Sequence, residues 1–270
     1  MRVSVSFLSA LLAVGLLSAA SQPQQFQRPL VFEQNRGQAP AQVKWMAQGS
    51  SYRVLLGSEG ATFLFDAKTD LHAVSSQPPV PFRRAAPLPY RAVQMKLAGS
   101  RPWKDISGAD PTGGVSNYLS DTDLKSWITN IPHYARVKVA NVYPGIDLIV
   151  YSHGGNLEYD FAISPGADPN QIQLVFEGME KMRVDQKSGD LVLTVKGSSE
   201  LRQLRPKIYQ QVENKRVEIN ANYRLLDDGR AGFTLAAYDR SRPLVIDPTV
   251  DFTTFFGGTS ADQPAAIAVG

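Results

Sequence analysis

The sequence contains no cysteine, and this absence removes several classes of function at once. Without a thiol the chain cannot form disulfides, use a thiolate nucleophile, or hold zinc or an iron–sulfur cluster through cysteine ligands. A fold without disulfides must be stabilised by its buried core. A chain of 270 residues with 43% hydrophobic composition is long enough to build one. The composition therefore predicts a globular protein that is stabilised by packing.

The chain also lacks a dense cluster of one charge. The net charge is only +3, and the Lys and Arg residues are spread along the whole sequence. Nucleic acids and anionic membranes are bound through concentrated positive charge. We therefore expect neither of them as a partner.

Most short motifs that mark enzymes and ion sites are missing as well. The three histidines, His72, His133 and His153, have no metal-ligand spacing, and there is no Gly-x-Ser-x-Gly elbow, phosphate loop or dinucleotide fingerprint. We therefore expect no cofactor, with Ca²⁺ as the ion to weigh. Asp121 and Asp123 offer the oxygen ligands that Ca²⁺ prefers, but the glycine and glutamate of an EF-hand loop are absent. A helix N-cap is the other interpretation of this pair.

The first twenty residues have the layout of a secretory signal peptide. Arg2 precedes an almost wholly apolar run, Val3 to Leu17, and small residues at 18–20 place the predicted cleavage after Ala20. The run is short for a membrane span, which needs about 20 apolar residues. We therefore expect an exported chain that is periplasmic, at the cell surface or extracellular. The mature chain is expected to have no stable membrane span.

Short runs with a period of two predict β-strands from residue 31 to residue 248. Apolar and polar residues alternate in VKWMAQ (43–48), YRVLLG (52–57) and LEYDFAI (157–163), and turn residues separate such runs at short intervals. No sustained helical period interrupts them. The pattern predicts an all-β fold, an antiparallel β-sandwich, with two packed sandwich-like subdomains as a variant. Residues 21–30 are predicted to be a flexible leader, and the five prolines of residues 76–90 a surface loop.

Three acidic residues are the candidate site. Glu158 and Asp160 stand two apart in a predicted strand, so their carboxylates project from the same face. In a hairpin that places Tyr151 opposite Glu158, Asp147 joins the same face, whereas a slip of one residue removes it. Such a cluster has three interpretations: an acid–base pair of a glycoside-active enzyme, a cation or ligand site, or the polar face of a sheet.

The three tryptophans bear on the same choice. If Trp45, Trp103 and Trp127 were exposed, they could line a platform for sugars. Buried tryptophans of a sandwich core are the other interpretation. Solvent exposure decides between the two.

Several longer stretches carry a resemblance to a known family. They are FEQNRGQ, NYLSDTDLKSWITNIPHYARV, VYPGIDLIVY, LEYDFAISPGADPNQIQLVFEG, LRQLRPKIYQQV, YDRSRPLVIDPTV and DFTTFFGGTSADQPAAIAV. Together they resemble the N-terminal region of bacterial SBBP-repeat proteins, large exported proteins whose repeats are thought to form β-propellers. The region before the repeats is, in that family, a β-rich domain of unknown function. The resemblance extends over about residues 32–270.

Residues 249–270 are similar to the first half of one SBBP repeat. Propeller blades need about 40 residues each and several copies, and the sequence shows no second copy. The resemblance implies either a fragment of a longer propeller protein or a chain whose gene has lost its propeller. In the first case the domain contacts a downstream propeller within the same protein.

These features lead to two expectations about function. The first is a non-catalytic exported structural or interaction module that precedes a β-propeller and engages an extracellular protein or glycan. The alternative is a carbohydrate-binding module or a glycoside-active enzyme that acts on extracellular polysaccharide. In the alternative, Asp147, Glu158 and Asp160 carry the chemistry.

Overall fold

The structure, a computed structural model, describes residues 30–49, 52–66, 90–119, 124–153, 156–195, 199–213 and 215–251. The predicted signal peptide (1–20), the Asp121–Asp123 pair and nearly all of the leader, the Pro-rich loop and the partial repeat lie outside these residues. Within the described part of the chain, no helix is long and apolar enough to cross a membrane.

Nineteen strands and two single 3-10 turns make up the regular structure of the described residues. The 3-10 turns are Leu124–Ser126 and Pro169–Gln171. The first strands are β1 Phe32–Gln34, β2 Val43–Gln48, β3 Tyr52–Gly57, β4 Gly60–Asp66, β5 Tyr90–Leu97, β6 Ile106–Tyr118, β7 Ile128–Tyr143, β8 Ile146–His153, β9 Asn156–Ile163 and β10 Leu174–Glu177. The remaining strands are β11 Met179–Val184, β12 Leu191–Val195, β13 Ser199–Gln203, β14 Lys207–Val212, β15 Lys215–Ile219, β16 Ala221–Leu225, β17 Ala231–Leu235, β18 Leu244–Asp247 and β19 Thr249–Asp251.

All the strand pairs are antiparallel and belong to one sheet, so the prediction of an all-β antiparallel fold is confirmed. From β16 the pairing runs through β17, β10, β5, β4, β3, β2 and β1 to the long strand β7. From β7 it continues through β8 to β9, which pairs with both β18 and β19. Strand β18 leads to β14 and β15, and β19 leads to β13, β12 and β11.

The sheet curls until its two ends meet. Strand β11, at one end of the path, lies against β16 at the other end, so the sheet is nearly closed into a barrel. All the buried apolar side chains except those of Ile131 and Val192 form one cluster inside it. The described strands therefore share a single core.

Strand β9 shows how the alternation predicted from the sequence builds this core. Leu157, Tyr159, Phe161 and Ile163 are at most 3% exposed, whereas Glu158 and Asp160 between them are half-buried on the other face. Phe161 packs edge-on against Tyr159 and against Phe233 of β17 across the interior. Burial of each such side chain contributes about 1.5–3 kcal/mol, so the apolar face of β9 decides its orientation.

A tight turn joins β7 to β8, the strand that carries Asp147. Pro144 and Gly145 connect the paired residues Tyr143 and Ile146, and Gly145 has φ +71°. Proline at the second position and a glycine with positive φ at the third are typical of a type II turn. The turn closes the pair of β7 and β8 at Tyr143 and Ile146, and the register shifts between Val139 and Tyr143 before the regular pairing begins.

Candidate functional site

The hairpin of β8 and β9 has the register that brings the three predicted acids together on one face. Tyr151 lies opposite Glu158, Ile149 opposite Asp160, and Asp147 opposite Ala162. Directly opposed residues of an antiparallel pair point to the same side of the sheet. Asp147, Glu158, Asp160 and Tyr151 therefore share the outward face of β8 and β9.

Asp147 is fully engaged by groups of β7. Its Oδ1 accepts a hydrogen bond from the Asn141 backbone N–H at 2.8 Å, and its Oδ2 lies 2.8 Å from the Lys138 ammonium. Partial burial acts to raise the pKa of this carboxyl, but the Asn141 amide and the Lys138 charge outweigh it and lower the pKa below its ordinary value. Asp147 is thus an ionised carboxylate that ties β8 to β7.

Asp160 behaves in the opposite way because β18 brings a further carboxylate beside it. The pairing of Val245 with Ala162 runs antiparallel, so Asp247 follows at the position of Asp160. Burial, the charge of Asp247 and that of Glu158 raise the pKa of Asp160 to about 6, although Tyr151 Oη donates a hydrogen bond to it at 3.0 Å. The pKa of Asp247 is raised too, by its burial and by Glu158.

Cationic and hydroxyl groups surround these acids on the same face. Arg136 lies over the Tyr151 ring, 5.2 Å from its centroid, and Lys207 stands opposite Asp247 in the β14–β18 pair. Thr249 Oγ1 donates to Glu158 Oε1 at 3.3 Å. Over the residues that the structure describes, no group of three or more His, Asp or Glu side chains is arranged to hold a metal ion. The arrangement is a polar sheet face on which neighbouring carboxylates are accompanied by cationic and hydroxyl groups.

The tryptophans do not extend this face into a sugar platform. Trp45 and Trp103 are 5% and 2% exposed, and Trp45 packs edge-on against Tyr134 inside the molecule. Trp127 is 39% exposed, but it follows the 3-10 turn between β6 and β7. The interpretation of Trp45 and Trp103 as core residues is confirmed.

A second cluster of polar side chains, which the sequence did not single out, joins β1, β6 and β7. Glu33 of β1 is almost buried, at 9% exposure. Its Oε1 accepts a short hydrogen bond from Ser116 Oγ and lies 3.3 Å from His133 Nε2, and its Oε2 accepts from Tyr118 Oη at 2.7 Å. Ser116 Oγ also lies 2.7 Å from His133 Nε2. We call these four residues the Glu33 cluster.

The Glu33 cluster contains the residue types of a serine hydrolase but in a different arrangement. In a catalytic triad the acid holds the imidazole nitrogen that is remote from the serine. Here the carboxylate contacts the same nitrogen, Nε2, that faces Ser116. The Ser116 hydroxyl has one proton, and it donates this proton in a hydrogen bond to Glu33. In this arrangement His133 does not accept a hydrogen bond from Ser116, as a general base would. The cluster is a buried carboxylate that accepts hydrogen bonds from Ser116 and Tyr118 and lies beside His133.

The stretches that carry the family resemblance could have pointed to this cluster. Glu33 belongs to FEQNRGQ, while Tyr118 and His133 belong to NYLSDTDLKSWITNIPHYARV, and the two stretches meet in space. Asn35 holds the first stretch in place: its side chain donates to the carbonyls of Ala39, Pro40 and Val43 and accepts from the Gly37 N–H. Both stretches therefore have a structural role, because their residues hold β1 against the β6–β7 pair.

A shallow groove of about 300 Å³ lies elsewhere, on the surface of β2 to β5. Polar and charged side chains line it, including Lys44, Glu59, Thr62 and Gln94, and none of its lining residues is aromatic. It is separate from both the acidic face and the Glu33 cluster.

Comparison of the chain with curated proteins and with solved structures gives no match. One family model, described as Domain of unknown function (DUF7948), matches residues 32–249. The match begins at the first residue of β1 and reaches β19, so it includes the acidic face and the Glu33 cluster. The chain belongs to the DUF7948 family of domains.

Proposed function

We propose that the chain is a non-catalytic exported structural and interaction module that precedes a β-propeller in a bacterial cell-surface or secreted protein. Export is supported by the signal-peptide layout of residues 1–20. The propeller is supported by the resemblance of residues 249–270 to the start of a repeat. Both supports come from the sequence.

The single observation that carries the interaction role is a concentration of exposed apolar side chains at the β6–β7 connection. Val115, Leu119, Leu124 and Trp127 are 50%, 56%, 67% and 39% exposed. Single exposed apolar residues are ordinary. Here four of the seven exposed large apolar residues of the described chain fall within residues 115–127, and this concentration supports a contact surface for another molecule. We call these four residues the β6–β7 apolar tip.

The non-catalytic part rests on how the polar groups are used. Asp147 is ion-paired with Lys138, Glu158 accepts from Thr249, and Asp160 accepts from Tyr151. Glu33 is satisfied by its own cluster. These contacts support a role of the acids in holding strands together.

Site-specific photo-crosslinking tests the interaction role. A photoreactive amino acid replaces Leu124 in the full chain, expressed in its native host, and the matched control carries it at Leu225, which is exposed to 43% on β16. We expect one defined crosslinked species from position 124, identified by mass spectrometry, and none from position 225. The same products from both positions, or none from either, would overturn the proposal that the β6–β7 apolar tip is a contact surface.

The downstream coding sequence tests the propeller context. Several further Gly-Gly repeats after residue 270 are expected if the domain precedes a propeller. A stop codon directly after residue 270 would overturn that part of the proposal and leave the interaction role to the crosslinking experiment.

One observation favours the alternative, a glycoside-active or glycan-binding protein. The pKa of Asp160, raised to about 6, is in the range of carboxyls that act as general acids. Glycan arrays and a glycoside hydrolase screen of the full chain, repeated with Glu158→Gln and Asp160→Asn, test it. Turnover that both variants abolish would establish the alternative and overturn the non-catalytic proposal.

A further inference from the structure

Strand β15 is a free edge of the sheet. It pairs with β14 from Lys215, opposite Val212, to Ile219, opposite Ile208, and no other strand of the described residues pairs with it. Four of its five residues are exposed, and the apolar Val217 is 46% exposed. An unpaired edge offers a row of N–H and C=O groups to a further strand.

The hairpin geometry tells which residues of β15 offer these groups. Residues 213 and 214 are the only ones between the paired Val212 and Lys215, and the closing pair of such a two-residue loop is hydrogen-bonded. Hydrogen-bonded and non-hydrogen-bonded pairs alternate along an antiparallel ladder. Lys215, Val217 and Ile219 therefore direct their backbone groups to β14, while Arg216 and Glu218 direct theirs to the free edge.

The sequence of β15 is complementary to itself in one register. When two β15 edges meet antiparallel, their outward backbone groups can pair with Arg216 opposite Arg216, Glu218 opposite Glu218, or Arg216 opposite Glu218. The first two place like charges opposite each other at the centre, which is destabilising. The third forms two Arg–Glu pairs related by a two-fold axis at Val217.

The side chains needed for this register are available. Among the described residues, neither Arg216 nor Glu218 has an ion-pair partner, and both are exposed. The Arg216 guanidinium lies over the Tyr209 ring, 4.3 Å from its centroid, on the face that Glu218 shares with Tyr209. An opposing glutamate would approach it on that face.

We propose that a second copy of this chain is the partner of β15, and that the two edges join antiparallel into a two-fold symmetric dimer with one continuous sheet. Each Arg216 exchanges backbone hydrogen bonds and an ion pair with Glu218 of the second copy. The two Val217 side chains meet at the axis and are covered. Because the contact is small, we expect a dissociation constant on the order of micromolar or weaker.

A charge-swap experiment tests the register. Sedimentation velocity of the full chain from about 1 to 300 µM is expected to show a monomer–dimer equilibrium, and Arg216→Glu or Glu218→Arg alone is expected to weaken it at least tenfold. The first variant has two glutamates on the edge and the second has two arginines. An equimolar mixture of the two restores both Arg–Glu pairs, so a heterodimer is expected to form.

The matched control is Arg224→Glu, an exposed charge reversal on β16, which is expected to leave the equilibrium unchanged. Circular dichroism and thermal unfolding establish that each variant is folded. A wild-type chain that stays monomeric at every concentration would overturn the dimer. A dimer that survives in both single variants, or a mixture that does not associate, would show that the interface is not the β15 edge.

Discussion

Glu33 places a buried carboxylate where three strands meet, and its value to the fold can be measured with one substitution. Glu33→Gln keeps the shape but replaces one acceptor oxygen by an NH₂ group that faces a donor. Because the donors Ser116 and Tyr118 converge on the carboxylate, we expect the free energy of unfolding to fall by about 1–3 kcal/mol. Urea denaturation followed by circular dichroism measures it.

The matched control for Glu33 is Glu180→Gln, because Glu180 is exposed on β11. It is expected to change the stability by less than about 0.5 kcal/mol. Equal effects of the two substitutions would contradict the structural role of the Glu33 cluster.

The acidic face makes a pH-dependent prediction of definite sign. The folded pKa of Asp160, about 6, is above the ordinary value of 3.8, so its stability contribution is complete below pH 3.8 and is lost as the pH rises through about 6. Asp160→Asn removes this loss. We expect the variant to have a higher Tm than the wild type at pH 7, and the difference to vanish towards pH 4.

Asp147→Asn is the matched substitution with the opposite sign. The folded pKa of Asp147 is lowered, so its contribution is present above pH 3.8 and is lost as the pH falls through the lower folded pKa. The variant is expected to have a lower Tm at pH 7, with a difference that shrinks in acid. Thermal unfolding of the wild type and both variants from pH 3 to pH 8 measures these Tm differences. Tm differences of the same sign in the two variants would contradict the opposite pKa shifts of Asp160 and Asp147.

At the scale of the elements, two glycines with similar φ angles have different structural roles. Gly178, between β10 and β11, and Gly229, between β16 and β17, have φ +85° and +79°. A Cβ on Gly178 would lie 2.2 Å from the Ala92 carbonyl oxygen of β5, whereas a Cβ on Gly229 would meet nothing within 4 Å. Gly229 serves only its turn, while Gly178 also lets β10 and β5 approach each other.

This difference predicts unequal effects of alanine at the two positions. Gly229→Ala adds only the strain of a positive φ, about 1–2 kcal/mol. Gly178→Ala adds a backbone clash to the same strain, so we expect a further loss of about 1–3 kcal/mol. Chemical denaturation of both variants measures the difference, and equal losses would contradict the close approach of β10 to β5.

At the scale of the whole molecule, one sheet around one core predicts one cooperative unfolding transition. Phe161→Ala in β9 removes a side chain with 0% exposure that packs against Tyr159 and Phe233, and is expected to destabilise the fold by about 3–5 kcal/mol. Trp45 lies on β2, Trp103 lies between β5 and β6, and both belong to the same core cluster as Phe161. Because the core is shared, their fluorescence is expected to report the same shifted midpoint as circular dichroism.

Phe161→Leu is the matched control, with an expected loss of less than about 1.5 kcal/mol. If the tryptophan fluorescence midpoint stays at its wild-type position while the circular dichroism midpoint moves, the strands unfold as separate units. That outcome would contradict the single core.

Local patterns predicted the parts of the site that local geometry controls. The alternation of LEYDFAI assigned Leu157, Tyr159 and Phe161 to the core. The hairpin predicted with Tyr151 opposite Glu158 placed Asp147, Glu158 and Asp160 on one face. The neighbours of that face came from strands far away in sequence. Asp247 and Thr249 lie beside β9 because β18 and β19 pair with it. No local sequence pattern predicts a pairing between strands so far apart in the chain.

The sequence alone determined the all-β class, because a period of two in apolar residues can bury one face only as a strand. It also determined the positions of several turns, because proline and glycine restrict or extend the backbone angles locally. Only the tertiary structure decided that the strands share a single core and that Glu33 lies beside His133. It also decided that the pKa of Asp160 is raised while the pKa of Asp147 is lowered. These outcomes depend on which distant strands become neighbours, and that choice is made by the packing of the whole core.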